Sequence, residues 1–146
     1  MNMICKFICK LKIKKADFDL IVSHAKNNLP NEACGLLAGK IEDGIKIVEK
    51  IYTLTNIDES PEHFSIHPQE QLQAIKDIRR LGLNPLGNFH SHPSTPARPS
   101  KEDIRLAYDP QASYMILSLM DETPVLKSFH IEKAKGTVLI EEITII

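Results

Sequence analysis

Near the start of the chain, Phe7, Cys9, Leu11 and Ile13 alternate with Lys6, Lys10 and Lys12. A period of two predicts a half-buried strand. From residue 16 to 28 the period changes. Phe18, Ile21, Val22 and Ala25 fall on one side of a short amphipathic helix, and "NNLPNE" ends it with turn residues. The apolar run "ACGLLAG" (33 to 39) and the alternating "IKIVEKIYTL" (45 to 54) flank "EDG", which predicts a hairpin. "TNIDESPEH" is a polar loop, and "HFSI" (63 to 66) predicts a short strand. Pro68 suits the first turn of a helix that runs through Leu72, Ile75, Ile78 and Arg79, with Gly82 where a terminating glycine belongs. "NPLGNFH" (84 to 90) returns to strand, residues 101 to 108 predict a helix, and "SYMILSLM", "PVLKSFHIE" and "TVLIEEITII" predict three further strands. The pattern is that of one α/β domain over residues 1–146, mostly sheet, with two or three helices and no repeat or linker.

Composition narrows the class. At 146 residues, 42% hydrophobic and 25% charged, the chain matches an ordinary globular domain that buries a core without staples. A net charge of -1 gives no reason to expect nucleic acid or an anionic membrane as partner. Lys6, Lys10, Lys12, Lys14 and Lys15 read as a solvated strand face. The three cysteines Cys5, Cys9 and Cys34 are too few and odd in number for a disulfide framework. The N-terminus makes a poor signal peptide, and no apolar stretch approaches the roughly 20 residues needed to span a bilayer. The expected location is the cytoplasm.

The densest chemistry lies in "GNFHSHPSTPARPSKED", residues 87 to 103. On a strand, residues two apart share a face, so His90 and His92 aim both imidazoles at one point. A catalytic zinc takes three protein ligands from imidazole nitrogen and carboxylate oxygen and keeps one open position. Asp103 is an available third ligand if Pro93, Pro96 and Pro99 bring the loop back. A plainer reading makes Ser100 a helix N-cap and Asp103 the acidic partner of a capping box. The two readings are compatible. Hydrolysis also needs a base, and Glu32, just before a short buried strand, is the best candidate, although on its own it reads first as a plain surface glutamate at a strand entry.

Glu32, then His90-Ser91-His92, then Ser100 after seven intervening residues (93 to 99) and Asp103 after two more, resemble the JAMM (MPN-domain) metalloprotease signature. "EACGLLAG", "HFSIHP" and "ARPSKEDI" extend the similarity to bacterial and archaeal members over about residues 7 to 132. The resemblance implies a mixed sheet with flanking helices, of the cytidine-deaminase-like type. It implies that His90, His92 and Asp103 ligate one zinc ion, that Glu32 is general base and then acid, and that Ser100 steadies the oxyanion. By the same resemblance the substrate is a ubiquitin-like or sulfur-carrier protein, cut after a C-terminal Gly-Gly. The His-Ser-His-Pro-Ser-Thr run departs from the His-Asn-His-Pro-Ser-Gly of RadC-type relatives and favours the peptidase branch. The short polar segment 55 to 62 offers little to grip two ubiquitins at once.

Two rival readings stay open: a non-catalytic MPN-type scaffold, and a zinc amidohydrolase of small amides. Around the motif, Cys34 reads as a buried thiol, Ser91 as a structural hydroxyl and Arg98 as solvent-exposed or facing substrate. His63 and His67 are outlying ligand candidates, and His24 and His130 read as ordinary histidines. An extended tail is expected beside a strand edge near the motif, where main-chain pairing suffices for recognition.

Overall fold

The computed structural model describes residues 10–146. The expected strand positions Phe7 and Cys9, and Cys5, lie outside the described residues; the described part of that strand is β1 (Lys10–Ile13). The chain continues through helix α1 (Lys15–Asn27), strands β2 (Cys34–Glu42) and β3 (Ile45–Leu54), helix α2 (Pro68–Arg80), strand β4 (Asn84–His92) and helix α3 (Lys101–Arg105). Strands β5 (Ser113–Ser118), β6 (Val125–Glu132) and β7 (Thr137–Ile145) complete it, with a 3-10 turn at Lys133–Lys135.

The expected mixed sheet with flanking helices is present, and it closes on itself in the order β1-β3-β2-β4-β5-β6-β7. β1 runs parallel to both β3 and β7, and that contact seals the barrel. β4 is antiparallel to β2 on one side and parallel to β5 on the other. Its main chain is thus paired on both edges. No helix among the described residues is long and apolar enough to cross a membrane.

Local chemistry explains the joints. Asp43 and Gly44 both take positive φ, as a two-residue hairpin turn between β2 and β3 requires. Gly82, at φ +69°, follows α2; its N–H bonds Arg79 O and the next N–H bonds Ile78 O, the paired bonds of a left-handed helix stop. Two expectations are corrected. The 63 to 66 segment is not a strand; a single bridge, Asn56 to Ile66, is all the pairing it makes. α3 ends at Arg105 rather than 108, because the Ala107 and Tyr108 amides already turn back onto Ile104 and Leu106. In α2, Leu72 and Ile75 are exposed, and the buried stripe is Ala74 and Ile78. Beside that stripe, Asp77 accepts from Lys50 and Tyr52 of β3 and from Arg80.

The sheet has a core on each face. Phe18, Ile21, Val22 and Ala25 of α1 pack against Leu37, Val48, Phe89, Met115 and Leu117. On the other face Ile116, Phe129 and Ile131 meet Ala97 of the proline-rich loop, Ile104 of α3 and Ala107 just beyond it. β4 passes between them, so Phe89 belongs to the first core while His90 and His92 face the second. Gly35 allows the close approach of β2 to β3 and Phe89: a Cβ there would sit 2.0 Å from Tyr52 O and 2.2 Å from the Phe89 ring. Gly35→Ala is expected to lower the unfolding free energy by about 1–3 kcal/mol, read as a shifted urea midpoint at unchanged slope.

Candidate metal centre

β4 delivers the two histidines, and a rigid return delivers the carboxylate. After His92 the loop is pinned at successive points. Ser118 Oγ donates to Thr95 O at 2.6 Å, Pro96 O faces His92 Nδ1 at 2.8 Å, and Ala97 is buried. Ser100 then caps α3. Its Oγ accepts the Asp103 N–H at 3.0 Å while Asp103 Oδ2 accepts the Ser100 N–H at 2.9 Å. That reciprocal box fixes Asp103 over the histidines.

The outcome is a triangle of ligand atoms. His90 Nε2 and His92 Nε2 stand 3.1 Å apart, and each lies 3.2 Å from Asp103 Oδ2. Among the described residues these three form the group able to hold a metal ion. A tetrahedral zinc with bonds of about 2.0–2.1 Å sets its ligand atoms about 3.3 Å apart, so the edges fit one face of that tetrahedron. Pro96 O can only accept, which places the proton of neutral His92 on Nδ1 and turns the Nε2 lone pair toward the other two atoms. His90 is buried with its Nδ1 unpartnered, and the Phe64 ring stacks on it at 4.6 Å and 25°. Behind His90 and Asp103 lies a cavity of about 50 Å³ walled by Pro99, Leu106, Tyr114, Ile116 and Ile131. The donor set, nitrogen and carboxylate oxygen with no thiolate, suits zinc.

The electrostatics follow from burial and the shared centre. Burial alone would raise the Asp103 carboxyl, but its contacts with His90 and His92 and the hydrogen bond from the Ser100 N–H overcome it and hold the group well below the usual carboxylate range. Burial pushes His90 down, in favour of the neutral imidazole that a metal needs. For His92 burial acts the same way, yet the Asp103 and Pro96 contacts outweigh it and lift the group above its ordinary value.

Glu32 is buried at 3% exposure, and its Oε1 has no hydrogen-bond partner. Burial, with the fields of Asp103, Glu102 and Glu62 against that of His92, pushes its carboxyl up to about 8. It is therefore not the surface glutamate that the plainer reading allowed. Ser91 turns away from the triangle, and its Oγ accepts the Ala33 N–H at 2.8 Å. Burial pushes the Cys34 thiol up to about 12, so it stays protonated at neutral pH. His63 pairs with Asp58, His67 caps α2 and Arg98 is exposed; none of them joins the triangle. His24 bonds the Cys34 and Leu54 carbonyls, and His130 pairs with Glu132. Two residues that the periodicity did not single out matter here: Phe64, over His90, and Asn56, whose Nδ2 donates to Glu32 O at 3.0 Å.

Residues 14–132 match the family of prokaryotic homologs of the JAB domain. The chain belongs to this family. It is 36% identical over 101 residues to the CysO-cysteine peptidase of Mycobacterium tuberculosis, covering 69% of this chain and 68% of that protein. It is 38% identical over 86 residues to a probable TtuB-protein conjugate cleaving protease of Thermus thermophilus, over 58% and 55% of the two chains. The solution structure of protein DSY2949 from Desulfitobacterium hafniense superposes with a TM-score of 0.85 at 52% identity, over 93% of this chain and 92% of that one.

The raised Glu32 carboxyl has a thermodynamic consequence in the metal-free protein. The folded state favours its protonated form, so this contribution to stability is whole below the ordinary 4.5 and is lost as pH rises toward about 8. Urea unfolding of metal-free wild type at pH 5 and pH 8 is expected to show a fall of a few kcal/mol that is missing from Glu32→Gln. An equal fall in the variant would assign the effect to other groups.

Proposed function

We propose that the chain is a zinc metallopeptidase or isopeptidase that hydrolyses the amide bond after the C-terminal glycines of a ubiquitin-like, sulfur-carrier-type protein. The observation that carries this reading is the pairing of a lone-pair triangle with a buried, proton-holding glutamate. A structural metal site needs the first and has no use for the second. That pairing also weighs against a scaffold without chemistry.

Zinc held by His90, His92 and Asp103 would supply Lewis acidity and bring the pKa of a bound water to about 7. A cation there would also lower the proton affinity of Glu32 and free its carboxylate to act as base. Glu32 takes the proton of the attacking water and returns it to the leaving amine. Ser100 Oγ accepts from the Asp103 N–H, which leaves its own O–H to donate to the carbonyl oxygen as charge develops there. His92 is held in its tautomer by Pro96 O, and α3 holds Asp103, so these groups need little rearrangement during the reaction.

Substrate class follows from shape and kinship. Phe64 of the 55 to 66 loop and Pro99 of the proline-rich loop both line the cavity at His90 and Asp103, and the substrate tail would pass between them. Glycines suit such a passage because they bring backbone close without a Cβ. The relatives named as a CysO-cysteine peptidase and a TtuB-conjugate protease support a carrier protein as the body of the substrate.

The purified protein is expected to take up about one zinc per chain, and His92→Ala to lose it, by metal analysis after dialysis. Failure to take up zinc at saturating metal would sink the enzyme reading. The zinc form, incubated with the host's ubiquitin-like carriers extended beyond Gly-Gly, is expected to trim them as read by mass spectrometry. Glu32→Ala should bind zinc yet trim about 100-fold more slowly or worse.

A further inference from the structure

Building on the peptidase reading, we propose that Asn56 is a positioning residue: its amide ties the main chain of Glu32 to the loop that lays Phe64 on the metal ligand His90. Glu32 precedes β2, so no strand ladder fixes it. Its Oε1 has no hydrogen-bond partner, and no side chain among the described residues is seen to orient the carboxylate. What places it is its main chain. The Glu32 N–H bonds Ser60 O at 2.8 Å, and Glu32 O accepts Asn56 Nδ2 at 3.0 Å. Both partners belong to the 55 to 66 loop. The next residue, Ala33, is bound through N–H and C=O to Ser91 of β4. The base is thus held between the strand that carries the ligands and the loop that covers them.

Asn56 is the knot of that loop. It is buried at 6% exposure, and its amide makes four hydrogen bonds. Nδ2 donates to Glu32 O and to His63 O at 3.1 Å, while Oδ1 accepts the N–H groups of Asp58 at 3.0 Å and Ser65 at 3.1 Å. An Asn amide with two donor hydrogens and a carbonyl oxygen is saturated by that set. His63 and Ser65 flank Phe64, so the side chain that anchors the base also fixes the main chain on both sides of the stacked ring. Aspartate has the same shape but cannot donate. Asn56→Asp would keep the bonds to Asp58 and Ser65 and set an acceptor against the Glu32 and His63 carbonyls. The metal ligands sit on β4 and α3, outside this network.

The test uses the full chain as Asn56→Asp, with Asn56→Ser in parallel so that a folded variant is in hand, each also combined with Glu32→Ala. Turnover is followed on a host carrier protein extended by cysteine after Gly-Gly, with zinc uptake and amide hydrogen exchange measured alongside. The expected result is kcat lower by about 10- to 100-fold, KM within about twofold, zinc uptake as in wild type, and no further loss in the Glu32→Ala background. Exchange at the Glu32 amide and at residues 63 to 65 should be faster by about tenfold or more. Wild-type kcat, or the same fold-loss with and without Glu32, would overturn the proposal. If wild type leaves the carrier uncut, the peptidase reading fails and exchange alone decides: faster exchange at Glu32 with unchanged zinc uptake sustains the positioning role, and unchanged exchange ends it.

Discussion

The two-residue period of β4 is the constraint on which the site depends. One face of the strand gives Phe89 to the core under α1, and the other gives His90 and His92 to the group that could hold a metal ion. Between the histidines, Ser91 points back to the first face and clamps Ala33, the residue after Glu32. A slip of one residue in the register of β4 would bury both imidazoles against α1 and turn Phe89 outward. β4 is held against that slip on both edges, with Cys34 opposite His90 on one side and Ile116 on the other. Barrel closure matters because it leaves no strand of the described sheet free to shift without breaking a ladder.

What the sequence disclosed, and what it hid, divide along the same line. Features set by local spacing were readable. The i, i+2 histidines, the Ser100 to Asp103 cap, the Asp43-Gly44 turn and Gly82 after α2 each depend on a few neighbouring residues. Features set by distant contacts were not. The parallel contact of β1 with β7 joins the two ends of the chain and leaves no pattern in either. Leu72 and Ile75 have helical spacing with Ile78, yet the barrel surface meets the Ala74 and Ile78 stripe, because Lys50 and Tyr52 hold Asp77 and set the rotation of α2. Phe64 appeared as a strand residue because "HFSI" alternates; its ring is half-buried because it lies on His90. Asn56 followed by Asp58 carried the mark of a side chain bonding its own backbone two residues on, which explains its turn but not its reach to Glu32.

Ser100 and Asp103 show how helix-end chemistry becomes site chemistry. A five-residue helix has little intrinsic stability, and its capping box is a large part of what holds it. The same carboxylate oxygen that accepts the Ser100 N–H faces both imidazoles. Capping therefore removes the rotamer freedom that Asp103 would otherwise lose on ligation. The proline loop is economical in the same sense: Pro96 fixes the return of the chain and lends its carbonyl to orient His92.

The remaining tension is between stability and chemistry at Glu32. A buried carboxyl without a partner destabilises a fold unless it holds its proton or meets a cation. Here the metal-free protein is relieved by protonation, and a cation on the ligand triangle would relieve it by charge. The two forms of relief exclude each other, because a cation there would disfavour the proton that burial retains. A residue poised between them is suited to take a proton at one step and give it back at the next. Its main chain must then be held firmly, because Oε1 has no hydrogen-bond partner among the described residues. The Ser91 clamp on one side and the Asn56 loop on the other meet that requirement while leaving the carboxylate free to exchange its proton.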